Sequence, residues 1–218
     1  MRIIELNRTA TDSNDRDAEL LRRELNEKCV FLVNVMSSAG AGKTTLLLRI
    51  LKDLGEKIRI GVIEADIDSS VDAEKIVSAG GAAIQAHTDG MCHMDAGMTK
   101  KALESFGTEN ADLIFLENVG NLICPAEYDT GAQMNLMILS VPEGDDKPLK
   151  YPLMFSKSDV LVVTKTDAKP YFDFDDSLLE ERVKKLNPSI RIFYVSAKEG
   201  TGMSELEEYL SGKCRMNE

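Results

Sequence analysis

A hydrophobic run at residues 30–36 leads straight into Ser37-Ser38-Ala39-Gly40-Ala41-Gly42-Lys43-Thr44-Thr45, and a helical pattern at 44–54 follows without a break. Small residues between a buried strand and a helix let successive backbone N–H groups turn inward on an anion, and the helix N-terminus adds partial positive charge. This context predicts a phosphate-binding loop. Ser38, Ala39, Gly40, Ala41, Gly42, Lys43, Thr44 and Thr45 are its candidate nucleotide-binding residues, with Lys43 on the β- and γ-phosphates and the Thr44 hydroxyl helping to hold Mg2+. The general motif begins with Gly where this chain has Ser37.

The same strand-then-helix rhythm recurs along the chain. Continuous apolar runs at 30–36, 58–63, 82–86, 113–116, 136–141, 160–163 and 190–195 read as strands buried on both faces, and helical stretches at 44–54, 71–78, 95–106, 178–186 and 203–210 separate most of them. Right-handed crossovers between parallel strands then predict an α/β fold with a mostly parallel central sheet and helices on both faces. Ligands of such sheets sit beyond the carboxyl ends of the strands. Residues 15–28 place Leu21 and Leu25 one turn apart, with Glu19/Arg23 and Arg23/Glu27 as outward pairs, and so predict an amphipathic helix. The expected division is 1–28 as N-terminal helix and arm and 29–218 as one domain. The breaker-rich stretch 142–152 reads as a mobile or partner-facing loop.

Composition narrows the function. With 218 residues, 43% hydrophobic content and no apolar run near the roughly 18 residues of a membrane span, a soluble chain with a full core is expected. Met1 to Asp17 is too polar for a signal peptide, so a cytoplasmic location is expected. A net charge of -11 argues against general nucleic-acid binding, which depends on Lys and Arg meeting phosphates. Any polyanion must be cradled locally.

Two further loops point to the base. Thr164-Lys165-Thr166-Asp167 follows the run at 160–163, and Ser196-Ala197-Lys198 follows the run at 190–195. GTP-binding proteins read guanine with an Asn-Lys-x-Asp loop and a Ser-Ala-Lys loop at these two places. Asp167 would accept from the ring N1–H and the exocyclic amine, a pair that adenine does not offer, while Lys165 and Lys198 would pack along the base face. Thr164 stands where the pattern has Asn, so the bond of that amide is weakened or replaced. A loss of about 1 kcal/mol leaves the bidentate preference for guanine in place; a relaxed or adenine-binding site is the alternative.

Metal candidates cluster elsewhere. Met91-Cys92-His93-Met94-Asp95 precedes a helical stretch and Cys124 follows a different strand, which lets the fold bring two thiols and an imidazole to one edge of the sheet. Thiolate with imidazole suits Zn2+, and Ni2+ where square-planar geometry is allowed. Three ligands leave the set incomplete, with water, His87 or the same loop of a second subunit to supply the rest. No CxxC spacing occurs, and cysteines acting as small buried hydrophobes are the plain alternative. Cys29 and Cys214 read as a strand start and a terminal tail.

Several strings together resemble one family. The phosphate loop with its strand, Cys92-His93-Met94-Asp95-Ala96, Glu117-Asn118-Val119-Gly120-Asn121-Leu122-Ile123-Cys124-Pro125-Ala126, Glu143-Gly144-Asp145-Asp146-Lys147-Pro148-Leu149-Lys150-Tyr151-Pro152 and Pro170-Tyr171-Phe172-Asp173-Phe174-Asp175 are similar to those of the hydrogenase nickel-incorporation GTPases (HypB), collinearly from about residue 30 to 210. Ser-Ser is the usual start of the loop there; Ala39 stands where Pro is customary, and Ala65 where Gly is common. The resemblance implies a G-domain of the dimerising metallochaperone type. It implies a slow GTPase that inserts nickel into a hydrogenase large-subunit precursor, as a homodimer and with a small nickel- and zinc-binding accessory protein. The inter-subunit Ni2+ or Zn2+ ligands map onto Cys92, His93 and Cys124, and Mg2+ onto Thr44 and Asp66. Lys43, Asp66 and Glu117 carry the catalytic roles, with 64–72 and 117–124 as the nucleotide-ordered segments. The N-terminal cysteine motif and His-rich run of some relatives do not occur in the sequence, so nickel storage is not expected. The alternatives are a divergent paralogue or urease-accessory-like GTPase serving another nickel enzyme, and a metal-binding dimer with impaired GTP recognition.

Overall fold

Each apolar run read as a strand becomes one, because a parallel strand covered on both faces needs apolar residues at every position. The computed structural model describes residues 7–66 and 71–215, the side chains of 7–11, 66 and 71–73 excepted. In chain order the main elements are α1 (Asn7–Glu27), β1 (Phe31–Ser37), α2 (Lys43–Leu54), β2 (Ile60–Asp66), α3 (Val71–Ser78), β3 (Ala82–His87), α4 (Ala96–Phe106), β4 (Leu113–Glu117), β5 (Met134–Ser140), α5 (Lys147–Lys150), α6 (Pro152–Lys157), β6 (Val160–Thr164), α7 (Asp176–Leu186), β7 (Arg191–Tyr194) and α8 (Met203–Arg215). The sheet is parallel throughout, in the order β3-β2-β4-β1-β5-β6-β7.

Side-chain alternation sorts the core into two layers. Phe31, Val33 and Val35 of β1 face α2 and α8, whose Leu46, Ile50, Leu206 and Leu210 are buried with them. Leu32 points the other way, toward Leu21 and Leu25 of α1 and Leu103 of α4. Met36 joins a third cluster with Phe155, Leu179 and Val183 under α6 and α7. The N-terminal helix is thus packed against the domain: Arg22 also pairs with Asp129 at 2.7 Å.

Central β1 is where the strand order turns. Its chain continues to β2 on one side, whereas the chain leaving β4 crosses to β5 on the other, and the crevice at such a switch point is the place for a ligand. The ends of β1, β2, β4 and β6 all open there.

Three expectations need correction. The stretch 142–152 is not an open loop: it forms a helical turn at Val141–Glu143 and then α5 and α6, with Asp145 held by Arg182. Each of its prolines sits in the first turn of a helix, where a missing N–H costs nothing. Cys214 is no tail residue; it lies in α8, 4% exposed, with its sulfur 3.5 Å from the Asp112 carbonyl oxygen. Cys29 is exposed in the turn after α1, at φ 54°, rather than at a strand start.

Candidate functional site

The phosphate end is built by two glycines. Gly40 and Gly42 take φ of 76° and 98°, the left-handed region open to glycine, so the chain leaving β1 reverses and enters α2 at Lys43. Gly42 makes no side-chain cap, which leaves the first amides of α2 to an anion. Lys43 Nζ donates to Ser37 Oγ at 3.0 Å and lies 3.9 Å from Glu117 Oε1. Ser38 donates to the Glu143 carboxylate, which ties the loop to the turn after β5.

A cavity of about 460 Å3 opens above this loop, walled by Lys43, Thr44, Thr45, Glu64 and Glu117 among others. Glu64 and Glu117 are register partners on β2 and β4 and are only 4% and 7% exposed. With the Thr44 hydroxyl they offer hard oxygen donors of the kind Mg2+ takes. Asp66 closes β2, but its side chain and residues 67–70 of the expected 64–72 segment lie outside the described residues. Glu64 was not foreseen as a site residue; only the β2–β4 register reveals it.

At the base end the loops hold one another. Thr164 Oγ1 donates to the Ala41 carbonyl at 2.7 Å, so a hydroxyl makes the brace to the phosphate loop that the missing Asn leaves open. Lys165, at φ 59°, sends its Nζ to the Gly40 carbonyl at 2.7 Å, bridging the cleft. Asp167 Oδ1 accepts from fully buried Ser196 at 2.7 Å, and Ser196 Oγ accepts from the Glu199 amide at 3.2 Å. Ala197 takes a contact from Arg49 at 3.4 Å, and Lys198 is exposed.

Of the metal candidates, Cys92 lies beside each of the other two. Cys92 Sγ lies 3.8 Å from His93 Nδ1, and Cys124 touches Cys92 closely enough that this contact, more than burial, pushes the Cys124 thiol up from its ordinary value. His93 is 5% exposed and stacked on Tyr128 with ring centroids 3.9 Å apart. Burial pulls its pKa below the ordinary value against the opposing charges of Asp95 and Glu127, which favours the neutral imidazole, the form that binds metals. Among the described residues no group of three His, Cys, Asp or Glu side chains is placed to hold a metal ion, so Cys92, His93 and Cys124 do not form a three-ligand set within one chain. His87 stands apart, lining a different cavity between β3 and α4 with Met91 and Met98.

Two asparagines of the segment after Glu117, to which the sequence alone assigns no role, hold the backbone around the cysteines. Asn118, 1% exposed, accepts from Met94 N at 3.1 Å and Val119 N at 2.9 Å and donates to Asn34 at 3.0 Å. Asn121 donates to the Cys92 carbonyl and accepts from Cys124 N at 2.9 Å.

Comparison with known proteins agrees with this layout. Residues 31–194 match the family described as CobW/HypB/UreG, nucleotide-binding domain. The hydrogenase maturation factor HypB of Rhizobium leguminosarum bv. viciae is 41% identical over 209 residues, spanning 96% of this chain and 70% of that protein. The hydrogenase/urease maturation factor HypB of Helicobacter hepaticus is 38% identical, spanning 94% of this chain and 85% of its own length. Among solved structures, HypB from Helicobacter pylori in complex with nickel superposes with a TM-score of 0.87 at 38% identity, covering 94% of this chain and 96% of that one.

Proposed function

Because the chain belongs to the HypB maturation factors of the CobW/HypB/UreG nucleotide-binding family, we propose that it is a GTP-hydrolysing metallochaperone that delivers nickel to a hydrogenase large-subunit precursor. The observation that carries the reading is one continuous segment. Glu117 sits beside the phosphate-loop lysine, and seven residues on Cys124 meets Cys92, the neighbour of His93.

GTP would lie with its phosphates over the amides of residues 39–44, Lys43 on the β- and γ-oxygens and guanine against Asp167, Ser196, Ala197 and Lys165. Thr44 with Asp66, Glu64 or Glu117 would hold Mg2+, which supplies charge neutralisation at the phosphates. A γ-phosphate competing for Lys43 shifts the Lys43–Glu117 pair and with it the segment behind Glu117. Gly120 lets that segment lie close against the phosphate loop, since a Cβ there would come within 3.3 Å of Ala39 N. Hydrolysis is expected to be slow, with no arginine lining the phosphate cavity among the described residues.

Cys92 beside His93 and Cys124 offers part of a ligand set, and completion by a second copy would give a Ni2+ or Zn2+ site at a homodimer interface. A small nickel/zinc accessory protein and the precursor are the further partners, and the setting is cytoplasmic. Titrating Ni2+ and Zn2+ with and without a non-hydrolysable GTP analogue tests the coupling, because linked sites shift each other's affinity by one factor. Equal metal affinity in both conditions would sink it. A Cys124→Ser variant is expected to lose most of the affinity in either condition. The combined hydrogenase/urease designation of the Helicobacter hepaticus relative favours one second reading, in which the recipient includes another nickel enzyme.

A further inference from the structure

Between the nucleotide cavity and the thiols, the side-chain hydrogen bonds run through two asparagines of one segment. Asn118 follows Glu117 directly and turns into the protein, its backbone N–H donating to the Val35 carbonyl on β1 at 2.9 Å. Its carbonyl oxygen binds two amides, Val119 N in its own segment and Met94 N two residues after Cys92. Its amide group donates to Asn34 of β1, which donates in turn to Asn135 of β5 at 2.9 Å. A buried amide with donor and acceptor both used is fixed in orientation, and any movement of residue 118 must carry Met94 or break a bond with no water to replace it.

Asn121 does something different. Its amide reaches the Cys92 carbonyl while its oxygen receives Ile123 N at 3.1 Å and Cys124 N at 2.9 Å. It fixes Cys92 relative to Cys124 and touches nothing of the phosphate loop. The two asparagines therefore divide the labour between distance within the cluster and distance from the nucleotide.

We propose that Asn118 is the positioning residue that couples nucleotide state to metal affinity, and that Asn121 sets the intrinsic metal affinity without coupling it. The proposal rests on the nucleotide-linked metal site argued above. Asn118→Ser keeps a small polar group but cannot reach Met94 and Asn34 together. Asn121→Ala frees the Cys92 carbonyl.

The experiment measures Ni2+ and Zn2+ affinity of the full chain, nucleotide-free and saturated with guanosine 5′-(β,γ-imido)triphosphate. Unmodified protein is expected to show a ratio of about 5-fold or more between the two states, within the usual range of allosteric coupling. Asn118→Ser brings that ratio to within about twofold of one, whereas Asn121→Ala weakens binding about tenfold or more in both states and keeps the ratio. No ratio in the unmodified protein defeats the nucleotide-linked reading itself. A normal ratio that survives Asn118→Ser overturns only the assignment to Asn118. Should Asn118→Ser fail to fold, Asn118→Thr, closer to Asn in volume, removes the same acceptor for Met94 and donor to Asn34, and an undiminished ratio there overturns the proposal equally. The reciprocal reading, analogue affinity with and without Ni2+, must return the same ratio.

Discussion

The base end and the metal end of the cleft are built on opposite plans. At the base end each loop is braced by another loop through side chains, Thr164 to Ala41, Lys165 to Gly40 and Ser196 to Asp167, so the residues proposed to read the base are held within a single chain. At the metal end the braces stop at the backbone. Asn118 and Asn121 hold main-chain atoms of Met94, Cys92 and Cys124, and the thiols are left at the surface, Cys92 exposed and Cys124 half-buried. Specificity for a base needs donors fixed in advance; a cargo site needs ligands that let go. On the function proposed above, the first would be permanent and the second conditional.

The largest expected effect breaks one end and spares the other. Asp167→Asn still accepts from Ser196 but replaces a carboxylate, which would take two guanine N–H groups, by an amide that accepts one and repels the other. Charge-assisted hydrogen bonds contribute about 1.5–3 kcal/mol each, so GTP affinity should fall about 100-fold or more, with xanthosine triphosphate gaining in its place. Nucleotide-free Ni2+ affinity should stay within about twofold by calorimetry, as additivity between distant sites requires. A parallel loss of metal binding would mean that the two ends are one structure.

A smaller effect separates bracing from reading. Thr164→Val keeps the shape and removes the hydroxyl that reaches the Ala41 carbonyl, at a cost of about 1 kcal/mol. Binding of fluorescent GDP should weaken roughly fivefold, and preference for guanine over adenine should hold, since Thr164 touches the loop and not the base. A collapse of that preference would move Thr164 from brace to reader.

These two ends also differ in how far they could be read in the sequence. The seven strands were legible because parallel strands covered on both faces leave unbroken apolar runs, and the phosphate loop because its chemistry is local. Lys43, Thr164 and Asp167 needed only their neighbours to be found. Glu64 did not stand out, because its meaning comes from facing Glu117 across the β2–β4 register. Asn34 and Asn118 are 84 residues apart, and nothing in either string announces the bond. The stretch 142–152 is ambiguous for a different reason: a proline that breaks a helix and one that opens a helical turn look alike in sequence, and here each opens a turn.

The smallest effect concerns what lies beneath the base loops. Arg49 of α2 contacts the Ala197 carbonyl and pairs with Asp53, and the Asp53 carboxyl in turn meets Glu207 of α8, whose Oε1 has no hydrogen-bond partner. Burial first, and the Asp53 charge second, raise the Glu207 pKa above its ordinary 4.5, while Arg49 holds Asp53 below 3.8. The fold therefore favours neutral Glu207. That contribution is whole below the unfolded value near 4.5 and is lost as pH rises through the higher folded value, so at neutral pH the fold holds a carboxylate it would rather have protonated. Glu207→Gln stays neutral at every pH. Its thermal midpoint should match the parent near pH 4 and exceed it increasingly as pH rises toward 7, by no more than about 1 kcal/mol for so partly exposed a pair, or about 2–4 °C. Because Arg49 keeps Asp53 in the variant, GTP affinity should not change with it. A shift in GTP affinity larger than the shift in stability would show that the base end, too, is conditional, set from below by the charge on α8.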